Sequence, residues 1–179
     1  VYADESDLIG GELCVPKGIH SISEVVSNKL KNCESFTALS FEQGSEFKGF
    51  CDSQFSGCRS LKKVDLSNCS NLCVIPFECF YDCGKLSRVD FPIGLKEIGA
   101  GAFKHCRDLS GADFGKCKGL RLIGNEAFMK CFSLKDVNLS NLPIEEIGDL
   151  SFSGCVRLGS FDISGCDRLK RLGNFFISA

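Results

Sequence analysis

Tryptophan is missing from the 179-residue chain, methionine occurs once, and only two histidines, two tyrosines and four prolines are present. So few imidazoles exclude a centre built on three histidines. Neither sign of charge predominates. The 21 Lys and Arg against 23 Asp and Glu leave a net charge of -2, which gives no bulk attraction to nucleic acid or to an anionic lipid surface. No apolar run approaches the roughly 18 residues that cross a bilayer. Val1-Tyr2-Ala3 matches the small-residue end of a cleaved leader, without the apolar stretch that would support that reading.

Against these shortages stand 13 Cys and 16 Phe, and both are periodic. Phe55, Phe80, Phe103, Phe128, Phe152 and Phe176 are spaced 25, 23, 25, 24 and 24 residues apart, with Leu30 lying 25 before the first. Three residues after each of the first six members of this column comes a Cys: Cys33, Cys58, Cys83, Cys106, Cys131 and Cys155. A period of about 24 marks a stacked repeat, in which each unit buries its apolar face against its neighbours.

One unit shows how the columns are used. From Leu61 the chain reads Leu61-x-x-Val64-x-Leu66-x-x-Cys69-x-x-Leu72-x-x-Ile75, then Phe80-x-x-Cys83. Apolar and polar residues alternate around Val64 and Leu66, which predicts a short half-buried strand. Ser67-Asn68, and in later units Pro92, Gly115 and Ser140, end it with turn chemistry. An apolar-Gly step follows at Ile98-Gly99, Ile123-Gly124, Ile147-Gly148 and Leu172-Gly173. The Ala-Phe-x-x-Cys segment after it is too short for a free-standing helix and predicts one helical or 3₁₀ turn.

The stretch Leu-x-x-Val-x-Leu-x-x-Cys-x-x-Leu resembles the core of a leucine-rich repeat, with Cys where that core has Asn or Cys. The wider pattern Ile98-Gly99-x-x-Ala102-Phe103-x-x-Cys106-x-x-Leu109 resembles the BspA-like subclass, found in surface proteins of host-associated bacteria and in parasitic protists. The resemblance runs from about residue 11 to residue 179. It implies an α/β repeat, a right-handed solenoid with a parallel β-sheet on the concave face and short helical or 3₁₀ turns on the convex face. Residues 1–30 read as a degenerate first repeat or N-terminal cap, because three extra residues precede Cys33 and Leu30 replaces Phe. Residues 31–179 read as about six repeats of 23–25 residues in one solenoid domain.

Nine Cys fall into two columns: the six after Phe, and Cys69, Cys117 and Cys166 at the strand end. Such residues are expected as small buried side chains with weak donor thiols. Cys69, Cys73, Cys79 and Cys83 resemble a zinc ligand set in spacing, but Cys69 and Cys83 belong to the repeat columns, and Cys79 stands where Ala102, Ala127 and Ser151 stand. Cys14, Cys51 and Cys73 sit in otherwise polar columns and are the candidates for exposed or oxidised thiols. His105 beside Cys106 makes a poor nucleophile pair, since adjacent residues in such a turn point apart. No phosphate loop or carboxylate set completes a catalytic centre. The expectation is a non-enzyme with no cofactor and no metal.

The residue between the two inward apolar positions is Asp65, Asp90, Asp113, Asn138 and Asp162 in successive units. Parallel stacking puts these about 4.8 Å apart, and like charges directly opposite destabilise. Same-face cations such as Lys63 and Arg88, or turn hydrogen bonds to backbone amides, would offset this; a bound cation or basic ligand is the alternative. The flanking rows are Lys62, Ser87, Ser110, Lys135 and Lys63, Arg88, Gly111, Asp136. The candidate binding residues are therefore Asp65, Asp90, Asp113, Asn138, Asp162, Lys63, Arg88 and Lys135. After the strands, Lys116, Lys118 and Arg121, then Glu145 and Glu146, then Arg168, Lys170 and Arg171 predict an alternating stripe of ion pairs between units. That pattern opposes a basic nucleic-acid track. Asn68-Cys69-Ser70 and Asn138-Leu139-Ser140 are glycosylation sequons. The resemblance implies a protein partner, host or endogenous, and a surface or secreted adhesin-type protein. A cytoplasmic scaffold and a spacer within a longer array, with end-to-end association through an uncapped C-terminal repeat, are the alternatives.

Overall fold

A computed structural model describes residues 2–3, 8–31, 34–174 and 177; Cys33 and Phe176 of the periodic columns lie outside the described residues. The predicted strands are present, one per coil, and stack in parallel. β3 (Glu12–Val15), β5 (Ala38–Phe41), β6 (Lys63–Asp65) and β8 (Arg88–Asp90) form one run. β10 (Ala112–Asp113), β12 (Asp136–Asn138) and β14 (Ser160–Asp162) form the next. A single bridge, Arg88 to Gly111, joins the two runs. At the N-terminal edge, β2 (Leu8–Ile9) folds back antiparallel on β3. Its two-residue turn uses Gly10 and Gly11, both at positive φ, as a tight hairpin requires.

A second parallel sheet, unanticipated from the sequence, is built by the apolar-Gly steps. β7 (Val74–Ile75), β9 (Glu97–Ile98), β11 (Leu122–Ile123), β13 (Glu146–Ile147) and β15 (Arg171–Leu172) pair in chain order. Pro76 follows β7, but the glycine that follows each of β9, β11, β13 and β15 is a matter of space. A Cβ on Gly124 would lie 2.6 Å from the Ala100 nitrogen of the preceding coil, and one on Gly148 would lie 2.4 Å from that of Asn125. No side chain fits where two backbones approach so closely.

The opposite side of the coil corrects the helical expectation: among described residues 34–174 there is neither α-helix nor 3₁₀-helix. Alternate amides leave the turn and bond the next coil. Glu78 donates to the Ala100 carbonyl, Phe80 to Ala102 and Asp82 to Lys104, at 3.0, 2.8 and 2.9 Å. The amides between them, those of Cys79, Tyr81 and Cys83, close onto the carbonyls of Pro76, Glu78 and Phe80. A helix would spend every amide within itself. Here, left-handed residues two before and two after the Phe break the helix: Glu78 and Asp82, Gly101 and His105, Glu126 and Lys130, Leu150 and Gly154. The result is a third hydrogen-bonded seam along the solenoid.

Inside these seams, Phe55, Phe80, Phe103, Phe128 and Phe152 are fully buried and stack nearly parallel, with centroids 5.7, 5.4, 5.2 and 5.2 Å apart. The neighbouring Cys column is also buried. The thiols of Cys83, Cys106, Cys131 and Cys155 each donate to the carbonyl of the Phe one coil earlier, Phe55, Phe80, Phe103 and Phe128, all at 3.2 Å. Cys117 and Cys166 likewise reach the carbonyls of Pro92 and Leu139. Among the described cysteines, Cys14 and Cys51 are exposed, Cys73 and Cys166 are half-buried and the others are buried.

The two ends differ. β1 (Tyr2–Ala3) pairs with β4 (Ser21–Ile22), and the chain then enters α1 (Glu24–Lys31), capped by the Ser23 hydroxyl on the Val26 amide. This helix replaces the turn of the later units. It absorbs the three extra residues before Cys33, because a helix advances about 1.5 Å per residue, and it still buries Val26 and Leu30. In the last coil, Leu158, Phe161, Ile163, Cys166 and Leu169 are only partly buried and Leu172 is 43 % exposed.

Candidate functional site

The outward rows of the main sheet follow from the pleat. Val64, Val89, Ala112 and Val137 point inward and are buried, so the residues on either side of each face out. The register sets Asp65 beside Asp90, Asp113 beside Asn138, and Asn138 beside Asp162. Lys63 stands beside Arg88 in the row two residues back.

Most of these side chains are neutralised locally. Asp65 accepts the Ser67 amide at 3.1 Å and hydroxyl at 2.6 Å, and Lys63 lies 3.5 Å away. Partial burial works to raise the Asp65 carboxyl, but the Ser67 hydrogen bonds and the Lys63 charge outweigh it and hold it below its ordinary value. Arg88 grips Asp90 with contacts of 3.0, 3.0 and 2.8 Å. Asn138 accepts the Ser140 amide and hydroxyl at 2.9 and 2.7 Å. Asp162 accepts the Ser164 amide at 2.8 Å, and its carboxyl is lowered by hydrogen bonds from Ser164. Both offsets expected from the sequence, cations and turn amides, are therefore present. Among the described residues, Asp113 has the turn bond alone, from the Gly115 amide at 2.8 Å.

The face is hollowed where the two runs of strands meet. A depression of about 500 Å³ is lined by Arg88, Asp90, Ser110, Gly111, Asp113 and Asp136, among others. A smaller one of about 260 Å³ shares Arg88, Asp90 and Asp113 and continues to Asp65, Ser67 and Lys116. Of the candidates, Arg88, Asp90, Asp113 and Asn138 meet in the larger hollow and Asp65 in the smaller; Lys63, Lys135 and Asp162 lie outside both. Ser110, Gly111 and Asp136, from the rows that flank the candidates, also line the larger hollow. Their signal was the column Lys63, Arg88, Gly111, Asp136, where one side chain drops out.

His105 meets the Tyr81 ring edge-on at 5.6 Å, and partial burial together with Lys130, Lys104 and Arg107 holds it below its ordinary pKa. The Cys106 thiol is pushed well up by burial and faces the Phe80 carbonyl rather than His105. Cys83 and Cys73 face the carbonyls of Phe55 and Asn71 respectively, and among the described residues no three potential ligands converge on a metal site. Among them too, no helix is long and apolar enough to cross a membrane. The predicted charge stripe is present: Glu145 bridges Arg121 at 3.9 Å and Lys170 at 2.7 Å, while Arg171 joins Glu146 and Asp149 at 2.7 and 2.9 Å. Such exposed pairs are each worth under about 1 kcal/mol.

The profile of the BspA type leucine-rich repeat region matches residues 14–110 and 48–177, in six copies. The chain belongs to the BspA type leucine-rich repeat family. The crystal structure of the T. pallidum leucine-rich repeat protein TpLRR is similar over 89 % of this chain and 78 % of that one, with a TM-score of 0.71 and 24 % identity. That likeness agrees with the solenoid fold described above. A leucine-rich repeat protein from Bacteroides ovatus ATCC 8483 aligns over 91 % of this chain and 57 % of that one, at a TM-score of 0.42 and 24 % identity. No curated protein matches the chain. In this BspA type chain, the Phe and Cys columns recur in the interior and the Asp or Asn row recurs on the sheet face, whereas the face row two residues before it, Lys63, Arg88, Gly111, Asp136 and Ser160, differs from coil to coil.

Proposed function

We propose that this BspA type repeat is a non-catalytic protein-binding module that holds its partner on the face of the main sheet. The observation that carries the reading is the contrast between columns. Inward positions repeat Phe, Cys, Leu and Ile in coil after coil, whereas the row Lys63, Arg88, Gly111, Asp136, Ser160 changes at every step, beside a hollow large enough to seat partner side chains. Variation free of packing demands is what a recognition surface needs. The family resemblance supports a surface or secreted adhesin-type setting. A scaffold in a reducing compartment is the second reading, favoured by the seven thiols that donate to backbone carbonyls, contacts that need no oxidation.

A photo-cross-linking side chain at Ser110, exposed in the hollow, should capture a discrete protein in the native source, and one at Met129 on the turn side should not. Capture from Met129 alone would move the site to the turns. Intact mass of the native protein, alkylated while denatured and unreduced, separates the settings. Thirteen alkylated thiols without glycan place it in a reducing compartment; protected thiols or added glycan mass place it outside the cell.

A further inference from the structure

The sheet face repeats one electrostatic device and then omits half of it. On β6, Lys63 lies 3.5 Å from Asp65, and on β8, Arg88 holds Asp90 at 2.8 Å. In each strand the cation stands two residues before the carboxylate, on the same face. On the next coil the cation position is Gly111, and Asp113 follows it with no Lys or Arg nitrogen within ion-pair distance among the described residues. One coil further the same position is Asp136, itself acidic, exposed and without an ion pair among the described residues.

The backbone marks the same place. Pairing between β8 and the following coil shrinks to the Arg88–Gly111 bridge, and the 500 Å³ hollow opens over it. A Cβ added to Gly111 would meet nothing within 4 Å, so the space above this residue is open. Inside the hollow, Arg88 is already spent on Asp90, leaving Asp113 and Asp136 as carboxylates without a cation.

We propose that this notch receives a Lys or Arg side chain from an extended segment of the partner protein, which supplies the cation the third strand lacks. The proposal rests on the reading of the sheet face as the binding surface and names the chemistry of its occupant. An incoming ammonium or guanidinium over Gly111 takes the position held by Lys63 and Arg88 in their own coils. Its stem lies against Ser110 and the backbone at Gly111, and its charge meets Asp113 and Asp136.

The probe is an acetylated and amidated Gly/Ser pentapeptide with one central Lys, compared with the same peptide carrying norleucine, the uncharged chain of like length. Both are titrated to the millimolar range against the isotope-labelled chain while backbone amide shifts are followed. The lysine peptide should move the Gly111, Ala112, Asp113 and Asp136 amides, and the norleucine peptide should bind about tenfold more weakly. Gly111→Lys, which restores the missing cation in open space, should abolish the response while its own spectrum stays folded. Equal binding of the two peptides, no shift at all, or an unchanged response in Gly111→Lys overturns the proposal. Shifts near Lys63 and Asp162 with none at Gly111 overturn the notch and leave the sheet face as the binding surface. Shifts confined to turn-side amides such as Met129 overturn both.

Discussion

A cysteine in the Phe-x-x-Cys column is at once small, apolar and a weak hydrogen-bond donor. It is small enough for the crowded corner beside the Phe stack, and its thiol hydrogen meets a carbonyl of the neighbouring coil at 3.2 Å. Burial suppresses the thiolate. It pushes Cys69 up to about 12 and Cys117 and Cys155 up to about 11, from an ordinary 9.0, and drives Cys79, Cys83, Cys106 and Cys131 up as well. Two results follow for reactivity and pH. Native alkylation at neutral pH should label Cys14 and Cys51 first and Cys73 next, with the buried column reacting only as the chain unfolds; early labelling of Cys106 or Cys131 would show that the column opens locally. Because folding raises these pKa values, the stability they contribute is complete below about pH 9. It is lost as pH rises through the range of 9 to 12, where the unfolded chain deprotonates first. Urea midpoints should therefore decline above pH 9. The slope should be shallower in Cys106→Ala/Cys131→Ala, by up to about 1.4 kcal/mol per pH unit for each thiol removed. An unchanged slope would assign the alkaline loss to other groups.

At the scale of the element, each coil is three short hydrogen-bonded pieces, and the chain's glycines decide where they can touch. Gly124→Ala should cost about 1–3 kcal/mol or more, as overpacking does, because its Cβ meets backbone rather than a movable side chain. Phe103→Ala or Phe128→Ala should cost about 3–5 kcal/mol through the cavity left in the ring stack, while Asp113→Ala, with a single turn hydrogen bond to lose, should change stability little. Equilibrium denaturation checks all three. Unfolding by the Asp substitution and tolerance of the Phe ones would invert the assignment of inside and outside. The period made the strands and the buried columns legible, since apolar side chains recur wherever a coil meets the core. The turn seam was not legible because φ leaves only a faint mark on composition. Gly57, Gly101 and Gly154 share the left-handed positions with Glu78, Asp82, His105, Lys130 and even Leu150, and a column so mixed reads as plain solvent exposure. Helix α1 hid for another reason: its one trace was a three-residue surplus before Cys33, which reads equally as an insertion.

For the whole molecule, the consequence of stacking is that stability is a sum over neighbouring coils rather than a property of one core. The candidate face shows the same logic. Its carboxylate row could be read from spacing alone, but the hollow depends on where strand pairing lapses between β8 and β10, a relation between coils that no single repeat encodes. Local opening should likewise follow position along the stack. The amides of Phe103 and Phe128 donate to the Ala127 and Ser151 carbonyls at 2.8 and 2.7 Å, and those of Leu150 and Gly173 to Asn174 and Ile147 at 3.0 and 2.7 Å. The bonds are alike, yet the first two lie between coils whose apolar columns are fully buried, while the last coil leaves Leu172 at 43 % exposure. Hydrogen exchange should therefore find Phe103 and Phe128 protected to the limit of global unfolding, with Leu150 and Gly173 released earlier by opening of the last coil alone. Equal protection at all four amides would mean that the coils open together, and the nearest-neighbour description of this solenoid would fail.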